Sequence, residues 1–169
     1  MGNTPIHTQP VYEAPQNSFP DPSETRANYH QRLELPDGSL YEGDTLNNEL
    51  QGEGKRYFAD GSYYEGNFNH GKREGRGFQR WNDGRIYQGE WRDDNIEGKG
   101  EMKYADASIY RGEWRENKRE GKGVGEYWDG MYEGDWRNDF QQGIGTYYIF
   151  GGGEMKGLWI ENRFIEEDR

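Results

Sequence analysis

The feature that most constrains this chain is a repeat with a nearly constant step. Tyrosines stand at positions 41, 64, 87, 110 and 132, and a methionine takes the sixth slot at 155, so the steps are 23, 23, 23, 22 and 23 residues. A fixed step in this range is the signature of a solenoid-like array, in which each unit packs against its neighbours. We therefore expect the 169 residues to form one repetitive domain with short flanking segments.

Rings and glycines dominate the composition where an ordinary core would need aliphatic side chains. Only 30% of the residues are hydrophobic and the mean hydropathy is -1.35, yet 15% are aromatic and 26 are glycines. Such a chain is too polar for a thick aliphatic core. We expect a thin structure in which aromatic rings lie over glycine backbones.

The charge balance disfavours two classes of partner. The formal net charge is -11, and residues 35–169 alone hold 28 acids and 19 bases, which leaves -9. Acidic side chains repel phosphate backbones and anionic headgroups, so nucleic acid is not expected as a partner and membrane lipid is disfavoured. The absence of cysteine removes disulfides and cysteine-ligated zinc, and it fits a reducing compartment.

Each unit contains two runs with the two-residue period of a β-strand. In the segment YRGEWRENKREGKG, Tyr110, Gly112 and Trp114 lie at i, i+2 and i+4 and face one side, whereas Glu113 faces the other. A Gly-x-Gly opens the second run, and the polar stretch between the runs predicts a hairpin loop. Asp-Gly pairs predict turns between hairpins, because glycine accepts the positive φ of a tight turn. These pairs stand at 37/38, 60/61, 83/84 and 129/130.

In this pattern the chain resembles MORN repeats (membrane occupation and recognition nexus), which read Tyr-x-Gly-x-Trp/Phe and then Gly-x-Gly. The segments YEGNFNHGKREGRG, YQGEWRDDNIEGKG and YRGEWRENKREGKG repeat it in register. The resemblance covers residues 35–164, with repeats starting at 41, 64, 87, 110 and 132 and a half repeat from 155. It implies an all-β fold: an elongated single-layer antiparallel sheet of stacked β-hairpins, on the order of 50 Å long, with a shallow trough.

Four departures from the repeat pattern mark places where the array should be irregular. Thr45 fills an aromatic slot, Ala107 replaces a turn glycine, the fourth repeat is one residue short near Gly130, and three glycines at 151–153 replace the last Asp-Gly. Atypical first and last repeats are expected of caps. The short repeat is expected to change the local twist or register.

The array is flanked by two segments without repeats. Residues 1–34 are predicted to form an extended Pro-rich arm, and residues 165–169 an acidic tail. The arm has too few apolar residues for a core of its own. Its large rings are candidate contacts, either with another subunit or with the trough of its own sheet. They are Tyr12, Phe19 and Tyr29.

Motifs that could signal chemistry are better explained as structure. Gly-x-Gly recurs five times with no helix after it, whereas a phosphate loop is needed once, before a helix. The stretch from Asp93 begins like a calcium loop, but its twelfth position is Tyr104 where a bidentate Glu is required. The histidines are scattered along the chain, at His7, His30 and His70. We predict no catalytic residue, no metal site and no cofactor.

Two basic clusters are expected in equivalent hairpin loops, where they could dock an acidic partner. They are Lys72, Arg73 and Arg76, and Lys118, Arg119 and Lys122. The aromatic slots are expected to form the repeat core and, in part, to face a ligand. They are Tyr64, Phe68, Tyr87, Trp91, Tyr110, Trp114, Tyr132, Trp136 and Trp159.

The resemblance implies an adaptor more than an enzyme. We expect a non-enzymatic scaffold that binds partner proteins through the groove of its repeats and through its N-terminal arm. MORN arrays occur in ciliary and cytoskeletal assemblies, so we expect a cytoplasmic protein of the cytoskeleton or cilium. A membrane-associated phospholipid-binding adaptor is the alternative. Aromatic-glycine repeats also build carbohydrate- or choline-binding modules of cell-surface proteins. We do not expect one here, because the first residues lack the basic and apolar regions of a signal peptide and the repeats have the Tyr-x-Gly-x-Trp order.

Overall fold

Residues 29–165 are described by a computed structural model, and they form one 13-stranded antiparallel sheet whose strand order follows the chain order. Twelve strand spacings of about 4.8 Å make the sheet about 58 Å long. The predicted fold class is confirmed. The strands are β1 (Tyr29–Glu34), β2 (Leu40–Leu46), β3 (Glu49–Tyr57), β4 (Tyr63–Asn69), β5 (Lys72–Arg80), β6 (Ile86–Arg92), β7 (Asn95–Lys103), β8 (Ile109–Arg115), β9 (Lys118–Glu126), β10 (Gly130–Arg137), β11 (Phe140–Ile149), β12 (Glu154–Ile160) and β13 (Arg163–Ile165).

Two kinds of turn alternate along the two long edges of the sheet. On the first, the hairpin edge, two-residue turns have both residues at positive φ, as Asp93 (47°) and Asp94 (67°) show. This geometry matches a type I′ turn, whose twist suits the flanking strands. On the second, the turn edge, the first four loops have five residues and close with a bond such as Tyr104 N to Ser108 O, 2.9 Å. There Asp106 accepts the Ser108 amide at 3.0 Å.

One face of the sheet, the ring face, is built from tyrosines that lie across pairs of glycines. Gly112 and Gly123 are directly opposite each other in β8 and β9, and a Cβ atom on either would overlap with the Tyr110 ring. The Tyr110 hydroxyl donates to the Glu113 carbonyl at 2.9 Å. The same bond spans 2.7–3.1 Å in all five full repeats. Its donors are Tyr41, Tyr64, Tyr87, Tyr110 and Tyr132.

The large rings connect one repeat to the next. Trp114 meets the Tyr110 ring of its own repeat edge-on at 5.0 Å between centroids, and the Tyr87 ring of the preceding repeat at 5.6 Å. Edge-to-face pairs at this separation are favourable beyond the area they bury. The pattern recurs from Tyr41 to Trp159, so a continuous layer of rings forms the core.

This layer explains the Gly-x-Gly motif. The first glycine sits at a β-bulge with positive φ, for example Gly121 at 66°. The second, Gly123, lies beneath the tyrosine ring, where no side chain fits. Only glycine satisfies both demands at low cost.

Three local features differ from the sequence-based expectation. The sheet begins at Tyr29 and not after residue 34, because β1 pairs with β2 along its whole length and Leu33 packs against the core. Gly130 does not provide a positive φ; it lies in β10, where a Cβ atom would overlap with the Tyr147 ring. Ala107 does take a positive φ of 69° in the turn that lacks glycine.

Candidate protein-docking surface

The nine aromatics predicted as core or interaction residues are all buried, with at most 5% of their surface exposed. They hold the repeats together and present little surface to a ligand. Of the predicted arm contacts, Tyr12 and Phe19 lie outside the described residues. Tyr29 begins β1, where its backbone is opposite Thr45.

The basic clusters do not lie in hairpin loops, contrary to the expectation. The loop before the first cluster is only two residues long, so β5 already begins at Lys72. Arg73 stacks over the Trp91 ring at 4.2 Å and pairs with Asp94 at 3.0 Å. A guanidinium held in this way contributes to the core and is not free for an acidic partner.

The second cluster repeats this arrangement. Arg119 stacks over Trp136 at 4.4 Å and pairs with Asp139 at 3.2 Å. Lys122 points to the opposite side of β9 and pairs with Asp135 at 2.6 Å. The polar residues between the aromatic positions of the repeat therefore belong to strands. Their side chains alternate between the two faces of the sheet.

The face opposite the rings, the open face, carries ion pairs in the central repeats. Arg111 bridges Glu101 at 2.6 Å and Glu126 at 2.5 Å, across three neighbouring strands. Lys55 pairs with Glu65 at 3.0 Å in the same way. These are solvent-exposed contacts of small individual value, and they leave this part of the face well hydrated.

The open face changes character in the last repeats. Of the eleven exposed large hydrophobic residues in the part of the chain that the structure describes, eight lie between 140 and 165. Six of them share the open face, because they alternate with ring-face or turn residues along β11, β12 and β13. We call this set the C-terminal apolar surface: Phe140, Ile144, Tyr148, Leu158, Ile160 and Ile165.

Equivalent positions in the five repeats show where the change occurs. In the first four interfaces between repeats, the cross-strand pair next to the glycine row is polar or oppositely charged. The pairs are Glu53–Asn67, Arg76–Glu90, Lys99–Glu113 and Lys122–Asp135. At the fifth interface the pair is Ile144–Leu158, and Ile165 continues the row on β13.

A second exposed apolar group lies on the turn edge beside this surface. Trp128 is 91% exposed at the tip of the short turn between β9 and β10, and Phe150 is 61% exposed in the next turn. The two turns are joined by a bond from the Phe150 amide to the Asp129 carbonyl, 2.9 Å. Sequence reasoning missed both residues, although the deleted residue in this turn was a signal that Trp128 departs from the repeat.

A shallow depression on the open face leads to the C-terminal apolar surface. Its volume is about 850 Å³, and its lining includes the apolar side chains of Val124, Ile144 and Tyr148. Arg111 and Lys122 line it as well, and Arg111 is directly opposite Val124 in the sheet. Such a mixture of apolar and charged groups suits a segment with both kinds of side chain.

The titrating groups with shifted pKa values serve the fold. Burial raises the pKa of Tyr41 and of Tyr132 to about 12. Hydrogen bonds from the Ser39 hydroxyl and amide, together with the Arg56 guanidinium, lower the pKa of Asp37 to about 2. Among residues 29–165 no three His, Asp or Glu side chains are grouped as a metal ion would require, and no helix is long and apolar enough to cross a membrane.

Comparison with known proteins agrees with this geometry. The MORN repeat family model matches residues 41–63, 64–84, 87–108, 110–124 and 132–154. The chain belongs to the MORN-repeat family. The matched segments coincide with the hairpins from β2 to β11, and the last runs to the start of β12.

Other comparisons add little to the family assignment. No curated protein matches the chain. A solved structure from Drosophila melanogaster, the SAS-4 (dCPAP) TCP domain in complex with a proline-rich motif of Ana2 (dSTIL), is similar with 12% identity and a TM-score of 0.48. The match covers 76% of this chain and 71% of that one.

Proposed function

We propose that this MORN-repeat array is a non-enzymatic scaffold or adaptor subunit that binds a protein partner on the open face of its last repeats. The observation that carries the proposal is the replacement of a charged pair by Ile144–Leu158 at one interface out of five. The ring face is needed for folding in every repeat, whereas nothing in the fold requires an apolar pair here. Exposed apolar clusters of this kind mark interaction sites.

The turn edge adds aromatic anchors to the same region. Trp128 and Phe150 extend the apolar area beyond the sheet, and tryptophan is enriched among the residues that dominate binding energy at interfaces. The ion pairs around Arg111 would then form the polar rim. We propose that the partner lies along β11 and contacts both sets of residues.

The assembly itself is a broader proposal. We place the protein in a cytoplasmic assembly of the cytoskeleton or cilium, where MORN arrays of this kind occur, and we propose that the N-terminal arm provides a second contact. Support for the assembly comes from the family alone.

Affinity purification from the native cell tests the proposal when two baits with matched substitutions are compared. Leu158→Gln removes an apolar side chain from the C-terminal apolar surface. Glu113→Gln is the matched control, because it also introduces glutamine, at the equivalent position of a central repeat. We expect a set of proteins that wild type and Glu113→Gln retain equally and that Leu158→Gln loses, as quantified by mass spectrometry. Equal recovery on all three baits would refute the proposed surface.

Binding to membrane lipid instead of a protein is tested in a separate experiment. Wild-type protein is mixed with phosphoinositide-containing liposomes at near-physiological ionic strength. We expect no salt-sensitive co-sedimentation, because the chain has a net charge of -11. Salt-sensitive binding would replace the protein partner with an anionic bilayer.

A further inference from the structure

Resting on the docking role proposed above, we propose that the segment of this same chain around Tyr12 occupies the C-terminal apolar surface until a partner displaces it. The displacing partner would have the same chemistry: an extended segment with adjacent apolar and aromatic residues followed by an acid. Tyr12 lies in the part of the chain before residue 29, and the surface lies in β11, β12 and β13.

The surface offers what such a segment needs. Ile144 is 61% exposed, and Tyr148, Leu158, Ile160 and Ile165 are each 38–41% exposed, although all belong to regular strands. Covering these side chains would remove apolar area from water, at about 25 cal/mol per Å². Elsewhere on the described open face, Leu40 and Tyr57 are the exposed large apolar residues, and the other apolar side chains are half-buried. The half-buried ones are Leu46, Tyr63, Phe78, Ile86, Ile109, Val124 and Met131.

The length of the chain limits which residues can arrive there. Tyr12 is seventeen residue steps from Tyr29, the first residue of β1. At about 3.3–3.6 Å per step, the most that a chain can span, these steps reach at most about 56–61 Å. The distance from β1 to β11 is ten strand spacings, about 48 Å, and to β12 it is about 53 Å. Phe19 reaches at most about 33–36 Å by the same measure, which ends over the charged central repeats, so Tyr12 is the large ring of the segment that can reach the surface.

The entry point and the charges agree with this path. Tyr29 is opposite Thr45, so β1 starts at the hairpin edge, on which Phe140 and Ile160 also lie. Glu13 follows Val11 and Tyr12 in the sequence. Arg137 and Lys156 flank the C-terminal apolar surface on the open face, and within residues 29–165 neither has an ion-pair partner. One of them would pair with Glu13.

A tether keeps the segment close to the surface. Because the span is close to the extended length of the linker, the effective concentration is lower than the millimolar value of a linker whose average length matches the span. The contact itself must therefore supply most of the affinity, and a partner segment of the same chemistry competes with it directly. The arm would exclude proteins that lack the matching segment, which is a form of specificity by competition.

Paramagnetic relaxation in the full-length protein tests the contact. The chain has no cysteine, so Ala14→Cys accepts a single nitroxide label two residues from Tyr12. We expect loss of the methyl signals of Ile144, Leu158 and Ile160, whereas those of Leu40 and Leu46 at the other end of the sheet persist. Tyr12→Ala in the labelled chain should restore these methyl signals, and Ile144→Gln should restore those of Leu158 and Ile160. Phe19→Ala should restore none of them.

Three outcomes would overturn the inference. One is the absence of signal loss, and another is equal loss along the whole array. The third is loss that occurs only when labelled and isotope-enriched chains are mixed, which would assign the arm to a second copy. None of these outcomes bears on the bait comparison above, so failure of the arm contact and failure of the docking surface are distinguishable.

Discussion

The central repeats and the last one and a half repeats share one face of the sheet and differ on the other. On the ring face, Trp114 and Trp159 occupy equivalent slots and each donates to a glycine carbonyl, at 3.3 Å and 3.2 Å. On the open face, Glu113 and Leu158 occupy equivalent slots and have opposite chemistry. The shared face is required because a single-layer sheet has no other core. The open face is free to vary, so its variation indicates function.

The largest effect is expected from breaking the shared face in the middle of the array. Trp114→Ala should lower the free energy of unfolding by about 3–5 kcal/mol, because it removes a buried ring that joins two repeats. Chemical denaturation followed by circular dichroism measures the loss. Glu113→Ala, its neighbour on the open face, should stay within about 0.5 kcal/mol of wild type. Equal losses for the two variants would show that the faces are assigned incorrectly.

A smaller loss is expected from crowding the same layer. Gly123→Ala places a methyl group in the space of the Tyr110 ring, and overpacking of this kind costs about 1–3 kcal/mol. Gly151→Ala is the matched control, because nothing lies within 4 Å of a Cβ atom there and its φ is not positive. The melting temperatures of the two variants show whether the tyrosine ring requires glycine at 123, since no neighbouring atom requires it at 151. A Gly151→Ala loss as large as that of Gly123→Ala would contradict this explanation of the motif.

The pH dependence tests the tyrosine layer as a whole. Burial raises the pKa of Tyr41 and Tyr132 to about 12, above the value near 10 of the unfolded chain. A raised pKa means that the folded state holds the proton more tightly, so this stabilisation is complete below pH 10 and is lost as pH rises toward 12. Denaturation midpoints should stay level from pH 9 to about pH 10 and fall from there to pH 12. A flat profile over the whole range would mean that folding does not raise the pKa of these tyrosines.

The smallest effect should be a gain. Ala107 holds a φ of 69°, which costs an L-residue roughly 1–2 kcal/mol. Ala107→Gly should therefore raise stability by about 0.5–1 kcal/mol, after the added freedom of the unfolded chain is subtracted. Ala105→Gly in the same turn has no such strain to relieve and should lower stability slightly. If Ala107→Gly melts below wild type in differential scanning calorimetry, the turn is not strained.

Much of the fold could be predicted from the period alone, because the Tyr-x-Gly-x-aromatic spacing fixes which residues face the core. The start of the sheet could not, since β1 lacks the repeat motif and is held only by pairing with β2 and by the contacts of residues such as Leu33. The sequence predicts a solvent-exposed loop at Arg73 because its neighbours are polar. In the structure its guanidinium covers the Trp91 ring.

The candidate site was less predictable than the fold. Ile144 and Leu158 are 14 residues apart and belong to different hairpins, so their pairing appears only once the register is known. Trp128 aligns with turn positions that are exposed in the other repeats, such as Ala59 and Ala105, so the repeat predicts its exposure but not that a tryptophan stands there. The proposed docking residues Ile144 and Leu158 occupy variable positions of the motif, and a repeat pattern does not specify which side chains stand there.

The most direct test of the central claim measures stability and partner binding together for Leu158→Gln and Glu113→Gln. Each variant is titrated with the purified partner recovered on the wild-type bait, and its melting temperature is measured in parallel. We expect the free energy of unfolding of both variants to stay within about 0.5 kcal/mol of wild type, since both side chains lie on the open face. Leu158→Gln alone should weaken binding, by about tenfold or more if it removes a contact worth at least 1.4 kcal/mol. Equal affinity of the two variants for the partner would contradict the claim that the C-terminal apolar surface is the docking site.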